Sequence, residues 1–386
     1  MQTKCPYCFN DLTSARYAYQ CQGTCNAIDD PIGSQLHGAP RQWKPTSFAS
    51  APAGAGPDWA PPPLTECARC HGPVAECCPV CHHFLPPAWR TGQATCIALA
   101  GARATGKSIY IGVVVKQLEM LAEAHRTTVD FVDGASRELY RETYEKPLYE
   151  TRGILTPTPR ATVGDAYQRQ PIILSLGILN GMRRFIVLRD VAGEDLENRV
   201  EGQAHLSFFQ HASAVLFLFD PTRVPEVRNQ LQDLIPAQLH QGGDPAVVLN
   251  NLNFLIGQGN PRLAVVLSKF DTMQTLTRVA DTELSRIMSN AGAAFMRDPG
   301  NARPGYDDED GKLLHAEVRS LLQRLNAGHI VTAVERPHTG RVLDHRFFVV
   351  SALGAPTEGE QLHDHGIASF RCLDPIRWAL AKDGAV

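Results

Sequence analysis

Thr95-Cys96-Ile97-Ala98-Leu99-Ala100-Gly101-Ala102-Arg103-Ala104-Thr105-Gly106-Lys107-Ser108 is the stretch that decides the fold. An apolar run ends in a loop of the form G-x4-G-K-S, and helical apolar spacing resumes at Lys107. Strand, tight glycine turn and helix are the context this motif requires. Glycines let the backbone turn so that successive N–H groups, together with the helix N-terminus, face an anion. On this reading Gly101, Ala102, Arg103, Ala104, Thr105 and Gly106 cradle phosphates, Lys107 reaches the β- and γ-phosphates, and Ser108 binds Mg2+.

Outward from this loop, short apolar runs alternate with longer helical stretches, the pattern of a mostly parallel sheet flanked by helices. Strands are predicted at Thr95–Ala100, Thr128–Val132, Pro171–Leu179, Arg184–Arg189, Ala214–Phe219, Arg262–Leu267 and Phe347–Val350. Helices are predicted at Lys107–Ala124, Ser136–Glu150, Glu201–His211, Pro225–Leu239, Asp281–Met296, Leu313–Ala327 and Asp374–Lys382. Asp298 to Gly311, with four consecutive acidic residues, reads as a solvated insertion. In open parallel sheets ligands sit at the carboxyl ends of the strands.

Three of those ends carry further motifs. After Arg184–Arg189 comes Asp190-Val191-Ala192-Gly193-Glu194, a D-x-x-G loop in which the Asp holds Mg2+ through water and the Gly193 N–H senses the γ-phosphate. After Arg262–Leu267 comes Ser268-Lys269-Phe270-Asp271, a K-x-D element whose carboxylate takes two hydrogen bonds from guanine. After the last strand, Ser351-Ala352-Leu353 places a backbone N–H at the guanine carbonyl oxygen. A carboxylate built to pair two ring donors is left unpaired by adenine, so the site is expected to prefer GTP and GDP.

In this order, each after an apolar strand, the four motifs resemble the P-loop GTPases of the Ras-like and translation-factor-like class, over about residues 94 to 382. The resemblance implies a GTPase, slow without a partner, with Lys107, Glu194, Arg103 and Thr158 as catalytic candidates. Thr156, Thr158 and Thr162 all compete for the nucleotide-sensing position of the first switch. Flanking prolines hold Thr158 in extended backbone, and that residue is preferred as a further magnesium ligand. Three positions depart from the pattern. Ser268 stands where Asn or Thr is usual, Glu194 where many members carry a water-orienting Gln, and Arg103 where small residues are common. Arg103 either supplies charge to the γ-phosphate, obstructs a partner's arginine, or faces solvent.

Nine of the eleven cysteines fall within the first 81 residues. Cys5, Cys8, Cys21 and Cys25 form one group; Cys67, Cys70, Cys78 and Cys81 form another. Paired thiolates at this spacing point to two structural zinc sites. Cys77, His71, His82 and His83 are alternative ligands in the second group, and knuckles pair either sequentially or across the intervening segment. Cys96 and Cys372 are expected to be small buried residues. The resulting division is a zinc-binding module at 1–30, a Pro/Ala/Gly-rich linker at 31–63, a second zinc-binding module at 64–92 and the GTPase domain at 93–386.

A balance of 37 basic against 40 acidic residues creates no global attraction to nucleic acid or anionic lipid. No secretory start and no apolar run of spanning length is present, so the expected compartment is the cytoplasm. Closed zinc sites leave no position for substrate, so the modules are expected to dock. With Trp43, Trp59 and Trp89 nearby, a nucleic-acid platform is conceivable, but protein contact is favoured. Zinc knuckles joined to this motif order resemble the bacterial double-GTPase families, proposed components of conflict or signalling systems. That implies another GTPase or a GTPase-associated protein as partner. Two competing readings are a non-hydrolysing guanine-nucleotide scaffold and a zinc-dependent nucleic-acid adaptor.

Overall fold

The computed structural model describes residues 3–56, 59–62, 64, 66–156, 158, 170–198, 201–231, 243–274, 282–356 and 361–382. Its centre is a sheet of seven strands: β8 (Gly92–Ala100), β9 (Asp130–Phe131), β10 (Ile172–Leu179), β11 (Met182–Arg189), β12 (Ala214–Phe219), β13 (Arg262–Leu267) and β14 (His345–Val349). They lie in the order β14-β13-β12-β8-β11-β10-β9. The five strands from β14 to β11 run parallel, and β10 and β9 complete one edge in antiparallel fashion. β8, β12 and β13 are buried almost throughout, as continuous apolar runs with both faces covered require. The strand that leads into the G-x4-G-K-S loop is thus interior, and its loop opens where the parallel strands end.

Seven earlier strands build the cysteine-rich part: β1 (Thr3–Lys4), β2 (Asp11–Leu12), β3 (Arg16–Cys21), β4 (Ile28–Asp29), β5 (Gln42–Trp43), β6 (Thr46–Ser50) and β7 (Val74–Cys77). β6, β3 and β7 form an antiparallel sheet of their own. The segment 31–63, expected to be a linker, instead contributes a helix, Pro31–His37, and the strands β5 and β6. Asp30 starts that helix by accepting a hydrogen bond from the Gly33 N–H, and pairing with β3 supplies the order that its Pro- and Gly-rich composition does not. The expected division into two sequential modules gives way to one interleaved unit, because β3 from the first half lies between β6 and β7.

This unit is packed onto the large sheet. Trp89 is buried, stacks on Phe185 of β11 at 4.4 Å between ring centroids, and donates its indole N–H to the Lys4 carbonyl at 2.8 Å. Arg189, at the end of β11, donates to the Tyr7 carbonyl and lies 3.8 Å from the centre of the Phe208 ring. Phe208 in turn meets Phe9 edge-on at 5.4 Å.

The helices depart from expectation in several places. Lys107–Ala124 forms as read. The expected helix Ser136–Glu150 divides into Gly134–Tyr140 and a wider π-helical stretch, Arg141–Glu150, which accommodates Pro147. Glu201–His211 becomes two short turns, Ala204–Leu206 and Phe208–His211. Of Pro225–Leu239 the structure describes Pro225–Leu231, and residues 232–239 lie outside the described residues. The expected Asp281–Met296 divides into Thr282–Met288 and a turn at Ala294–Met296, with Asp281 outside the described residues. Pro245–Ile256 and Gly328–Glu335 are helices that sequence reasoning missed.

The acidic stretch is a structured helix start rather than a solvated insertion. Asp307 caps the helix Asp308–Arg324 through the N–H groups of Glu309 and Asp310. Asp310 bridges Arg297 and Arg371, while Asp308 pairs with Arg346 and Lys312. Among the described residues no helix is long and apolar enough to cross a membrane.

Candidate functional site

The loop after β8 is shaped by close approach. Gly101 has φ +145, and a Cβ there would meet the Leu218 carbonyl oxygen at 2.1 Å. Gly193, at the end of the D-x-x-G loop, comes equally near the G-x4-G-K-S loop, since a Cβ on it would lie 2.2 Å from the Arg103 nitrogen. The first contact seats the G-x4-G-K-S loop against β12 and the second presses the D-x-x-G loop onto it, and only glycine permits either.

Lys107 is buried and donates to the carbonyls of Gly101 and Ala102, each at 2.8 Å. Burial pushes its pKa below the usual lysine value, and the carboxylates of Asp190 and Glu197 oppose that shift. Beside it three oxygens converge. Ser108 Oγ donates to Asp190 Oδ2 at 2.7 Å, Thr158 Oγ1 lies 2.7 Å from Ser108 Oγ, and Thr158 Oγ1 donates to Asp190 Oδ2 at 3.1 Å. Burial raises the Asp190 pKa, countered by Lys107 and by the hydrogen bonds from Ser108, Thr158 and the Val191 N–H. Two hydroxyls and a buried carboxylate are hard oxygen donors of the kind Mg2+ takes. Thr156 is exposed, and Thr162 lies outside the described residues.

Two departures noted in the sequence meet each other. Arg103 Nη1 and Glu194 Oε1 form an ion pair at 3.0 Å, with side chains 48% and 34% exposed. So exposed a pair contributes little to stability, and Arg103→Gly is expected to shift unfolding free energy by less than ~1 kcal/mol. Denaturant titration checks this.

Further along the carboxyl ends of the same parallel strands, Asp271 accepts a hydrogen bond from Ser351 Oγ at 2.5 Å, and Ser351 Oγ accepts one from the Gly354 N–H at 2.9 Å. Burial raises the Asp271 pKa, and the Ser351 hydrogen bond is the largest opposing influence. Ser268, standing where Asn or Thr is usual, still tethers the K-x-D loop, because its hydroxyl donates to the Phe219 carbonyl at 3.0 Å. Lys269 adopts φ +52 and reaches Asp220 Oδ2 at 2.9 Å. Ala352 and Leu353 follow Ser351 in the same turn, both partly buried.

Sequence reasoning missed Asp220, Glu197, Arg223 and Gly243. Asp220 directly follows β12, accepts from the Thr222 N–H and hydroxyl at 2.9 and 2.6 Å, and holds Lys269. Its signal was available, since it stands at the carboxyl end of an apolar strand. Glu197 joins the G-x4-G-K-S loop to Gly243: its Oε1 accepts from the Arg103 N–H at 2.6 Å and from the Gly243 N–H at 3.1 Å. No local motif marks that contact.

The cysteines form two groups, Cys5, Cys8, Cys78, Cys81 and Cys21, Cys25, Cys67, Cys70, with all ligand atoms of a group within 4.8 Å of one another. Each group draws one pair from each half. Across the first, Cys5–Cys81 and Cys8–Cys78 sulfurs are both 3.7 Å apart; across the second, Cys21–Cys70 and Cys25–Cys67 are at 3.5 and 3.7 Å. A tetrahedron with ~2.3 Å metal–sulfur bonds has an edge of ~3.8 Å, so both sets fit Zn2+. Backbone N–H groups of Tyr7, Val80 and Gly23 point at Cys5, Cys78 and Cys21 sulfurs. The other candidate ligands are occupied elsewhere. Cys77 is buried in β7, His82 pairs with Asp30 at 3.0 Å, His83 stacks on Tyr7, and His71 is exposed. Cys96 and Cys372 are buried outside both groups. Trp43 is stacked on His82, Trp59 meets Tyr17 edge-on and Trp89 is buried, so each of the three packs against a neighbour within the chain.

A mixed α/β protein with a seven-stranded, mostly parallel sheet and two tetracysteine groups fitted to zinc is the class that fold and site define. No family model matches the chain. It is 48% identical over 390 residues to a protein of Mycolicibacterium smegmatis (strain ATCC 700084 / mc(2)155) described as "Putative ESX-1 scaffolding and assembly protein SaeC", covering 100% of both chains. The chain belongs to the same family as that protein. Among solved structures, the bacterial selenocysteine-specific elongation factor EF-Sec matches at 14% identity and TM-score 0.27, over 75% of this chain and 28% of that one. The GTPase-like domain of S. cerevisiae Ski7, bound to GDP and inorganic phosphate, matches at 8% identity and TM-score 0.33, over 76% and 51% respectively. The chain therefore spans at most about half the length of either of these two solved structures.

Proposed function

We propose that this chain is a GTP-binding switch that hydrolyses GTP slowly by itself, with its zinc-stabilised N-terminal unit docking it to protein partners. One observation carries the reading. The G-x4-G-K-S, D-x-x-G, K-x-D and S-A loops follow the parallel strands β8, β11, β13 and β14 and all open at the carboxyl ends of those strands. Lys107 would hold the β- and γ-phosphates, and Asp271 with the Ser351 turn would read guanine. Ser108, Thr158 and Asp190 would hold Mg2+, whose charge neutralises the phosphates when bound. Thr158 and Gly193, on separate loops, are placed to respond to the γ-phosphate, which is how order in two switch loops becomes nucleotide-dependent. The relative's description as a scaffolding and assembly protein supports protein partners, and an ESX-1-type assembly is the setting we assign.

The base is tested with Asp271→Asn. Guanine presents two donors to the carboxylate; an amide offers one acceptor and turns a donor toward guanine. GTP affinity is expected to fall ~10- to 100-fold, consistent with loss of charge-assisted hydrogen bonds. Xanthosine triphosphate, whose carbonyl accepts from an amide, should gain. Unchanged GTP affinity, or equal binding of ATP to the unaltered protein, would remove guanine recognition.

A second reading, a non-hydrolysing guanine-nucleotide scaffold, draws on the Arg103–Glu194 pair. The two side chains best placed to assist hydrolysis are engaged with each other. Single-turnover hydrolysis by Arg103→Gly separates the roles of Arg103: an unchanged rate eliminates it as a catalytic cation.

A further inference from the structure

Glu197 closes the short helix Gly193–Glu197 that follows the D-x-x-G loop, yet its carboxylate leaves that helix to reach the neighbouring loop. Its Oε1 takes the Arg103 N–H at 2.6 Å and the Gly243 N–H at 3.1 Å. Gly243 is fitted to it, since a Cβ there would lie 3.0 Å from Glu197 Cγ. The Arg103 nitrogen is also the atom against which Gly193 is pressed, so Glu197 reaches the point where the two loops touch.

Two buried cations lie within its electrostatic reach. Glu197 acts electrostatically on the buried Lys107 ammonium and on Arg223. The Arg223 side chain is 5% exposed, and its Nε and Nη1 have no hydrogen-bond partner among the described residues; its nearest carboxylate, Asp220, is 3.9 Å away. A buried guanidinium with unmatched donors is costly unless an anion reaches it. Donors and cations assembled this way suit a group of more than one negative charge, and the single carboxylate of Glu197 satisfies them incompletely.

We propose that Glu197 is a selectivity residue: its carboxylate occupies the Arg103 N–H of the G-x4-G-K-S loop, on the side where the terminal phosphate would lie, so a triphosphate must displace it and a diphosphate need not. The inference rests on the nucleotide-binding reading above. Displacement also has a structural readout. The end of the Glu197 helix is held by Asn251, whose Nδ2 donates to the Leu196 carbonyl at 2.8 Å and the Asn198 carbonyl at 3.2 Å. A γ-phosphate that expels the carboxylate loosens one of the two attachments of this helix and leaves the other on Pro245–Ile256.

The test compares two nucleotides within each variant of the full zinc-loaded chain. Affinities for GDP and for a non-hydrolysable GTP analogue are measured with Mg2+ for the unaltered protein, Glu197→Ala and Glu197→Gln. Glutamine keeps the side chain's size and acceptor and removes only its charge, which guards against a folding defect. The triphosphate should gain ~10-fold over GDP in both variants, equivalent to about 1.4 kcal/mol. GDP affinity itself should change less than ~2-fold, within the scatter expected for a contact it does not make. A ratio that stays constant, or a gain shared equally by both nucleotides, overturns the role of Glu197 while nucleotide binding stands. Absence of binding to either nucleotide in all three proteins overturns the underlying reading and this inference with it.

Discussion

Lys107→Ala is expected to abolish Lys107-dependent phosphate release at saturating GTP and to weaken GTP binding by ~100- to 1,000-fold, the cost of truncating one partner of a buried charge pair. Lys107 is 5% exposed, and among the described residues its ammonium donates to the loop carbonyls of Gly101 and Ala102. Those carbonyls stabilise the ammonium weakly compared with phosphate oxygens, so the favourable energy is held back for the nucleotide. Alanine removes a desolvated charge, and the fold itself should be retained, as circular dichroism and thermal melting would report. Phosphate release that persists unchanged in the variant would mean that hydrolysis does not pass through this loop. Binding without release in the unaltered protein would favour the scaffold instead.

The second large effect concerns metal, and the two tetracysteine groups should respond unequally. Cys5, Cys8, Cys78 and Cys81 are 0 to 4% exposed and belong to the continuous core, whereas Cys25 and Cys70 of the other group are partly exposed. Cys78→Ser is therefore expected to lower the melting temperature by ~10 °C or more, given structural zinc energies of ~10 to 16 kcal/mol and a few degrees per kcal/mol. It should also weaken nucleotide binding. The path is short: the knuckle's Tyr7 carbonyl accepts from Arg189, and the next residue is Asp190, which Ser108 and Thr158 both contact. Cys70→Ser should disturb the second group while leaving nucleotide affinity nearly intact. Equal loss of nucleotide affinity in both variants would show that the N-terminal unit acts as a whole and that Arg189 has no special part.

How much of this was legible depends on whether the signal is local. The strand, loop and helix from β8 to Lys107–Ala124 could be read because the glycines, the lysine and the periodicity lie within thirty residues of one another. β12 and β13 could be read to the residue, since buried parallel strands are uninterrupted apolar runs. Thr158 stood out among its neighbours only through its prolines, and its meeting with Ser108 and Asp190 depends on tertiary structure. Glu197 carried no signal at all, because its partners are Arg103 and Gly243, remote in sequence and both offering backbone N–H groups that any residue has. β6 was hidden for a different reason. Its flanks are rich in proline, alanine and glycine, and strand order there comes from pairing with β3 rather than from propensity. The acidic run Asp307 to Asp310 misled because charge was read without its arginine partners, which arrive from as far as Arg371.

The cysteine pairings form concentric rings along the chain. Cys5 meets Cys81 and Cys8 meets Cys78 across 76 and 70 residues; inside these, Cys21 meets Cys70 and Cys25 meets Cys67 across 49 and 42. Closing the inner ring first shortens the free chain that the outer ring has still to close, so the loop-closure entropy of the second metal falls once the first is held. Two ions held there would therefore assist each other without touching. During synthesis neither ring can shut before Cys67 has emerged, and the outer one waits for Cys81, shortly before β8 begins at Gly92. With both ions bound, the cysteine-rich unit would be complete just as the first strand of the large sheet arrives, and it would offer that strand a finished surface on which to start.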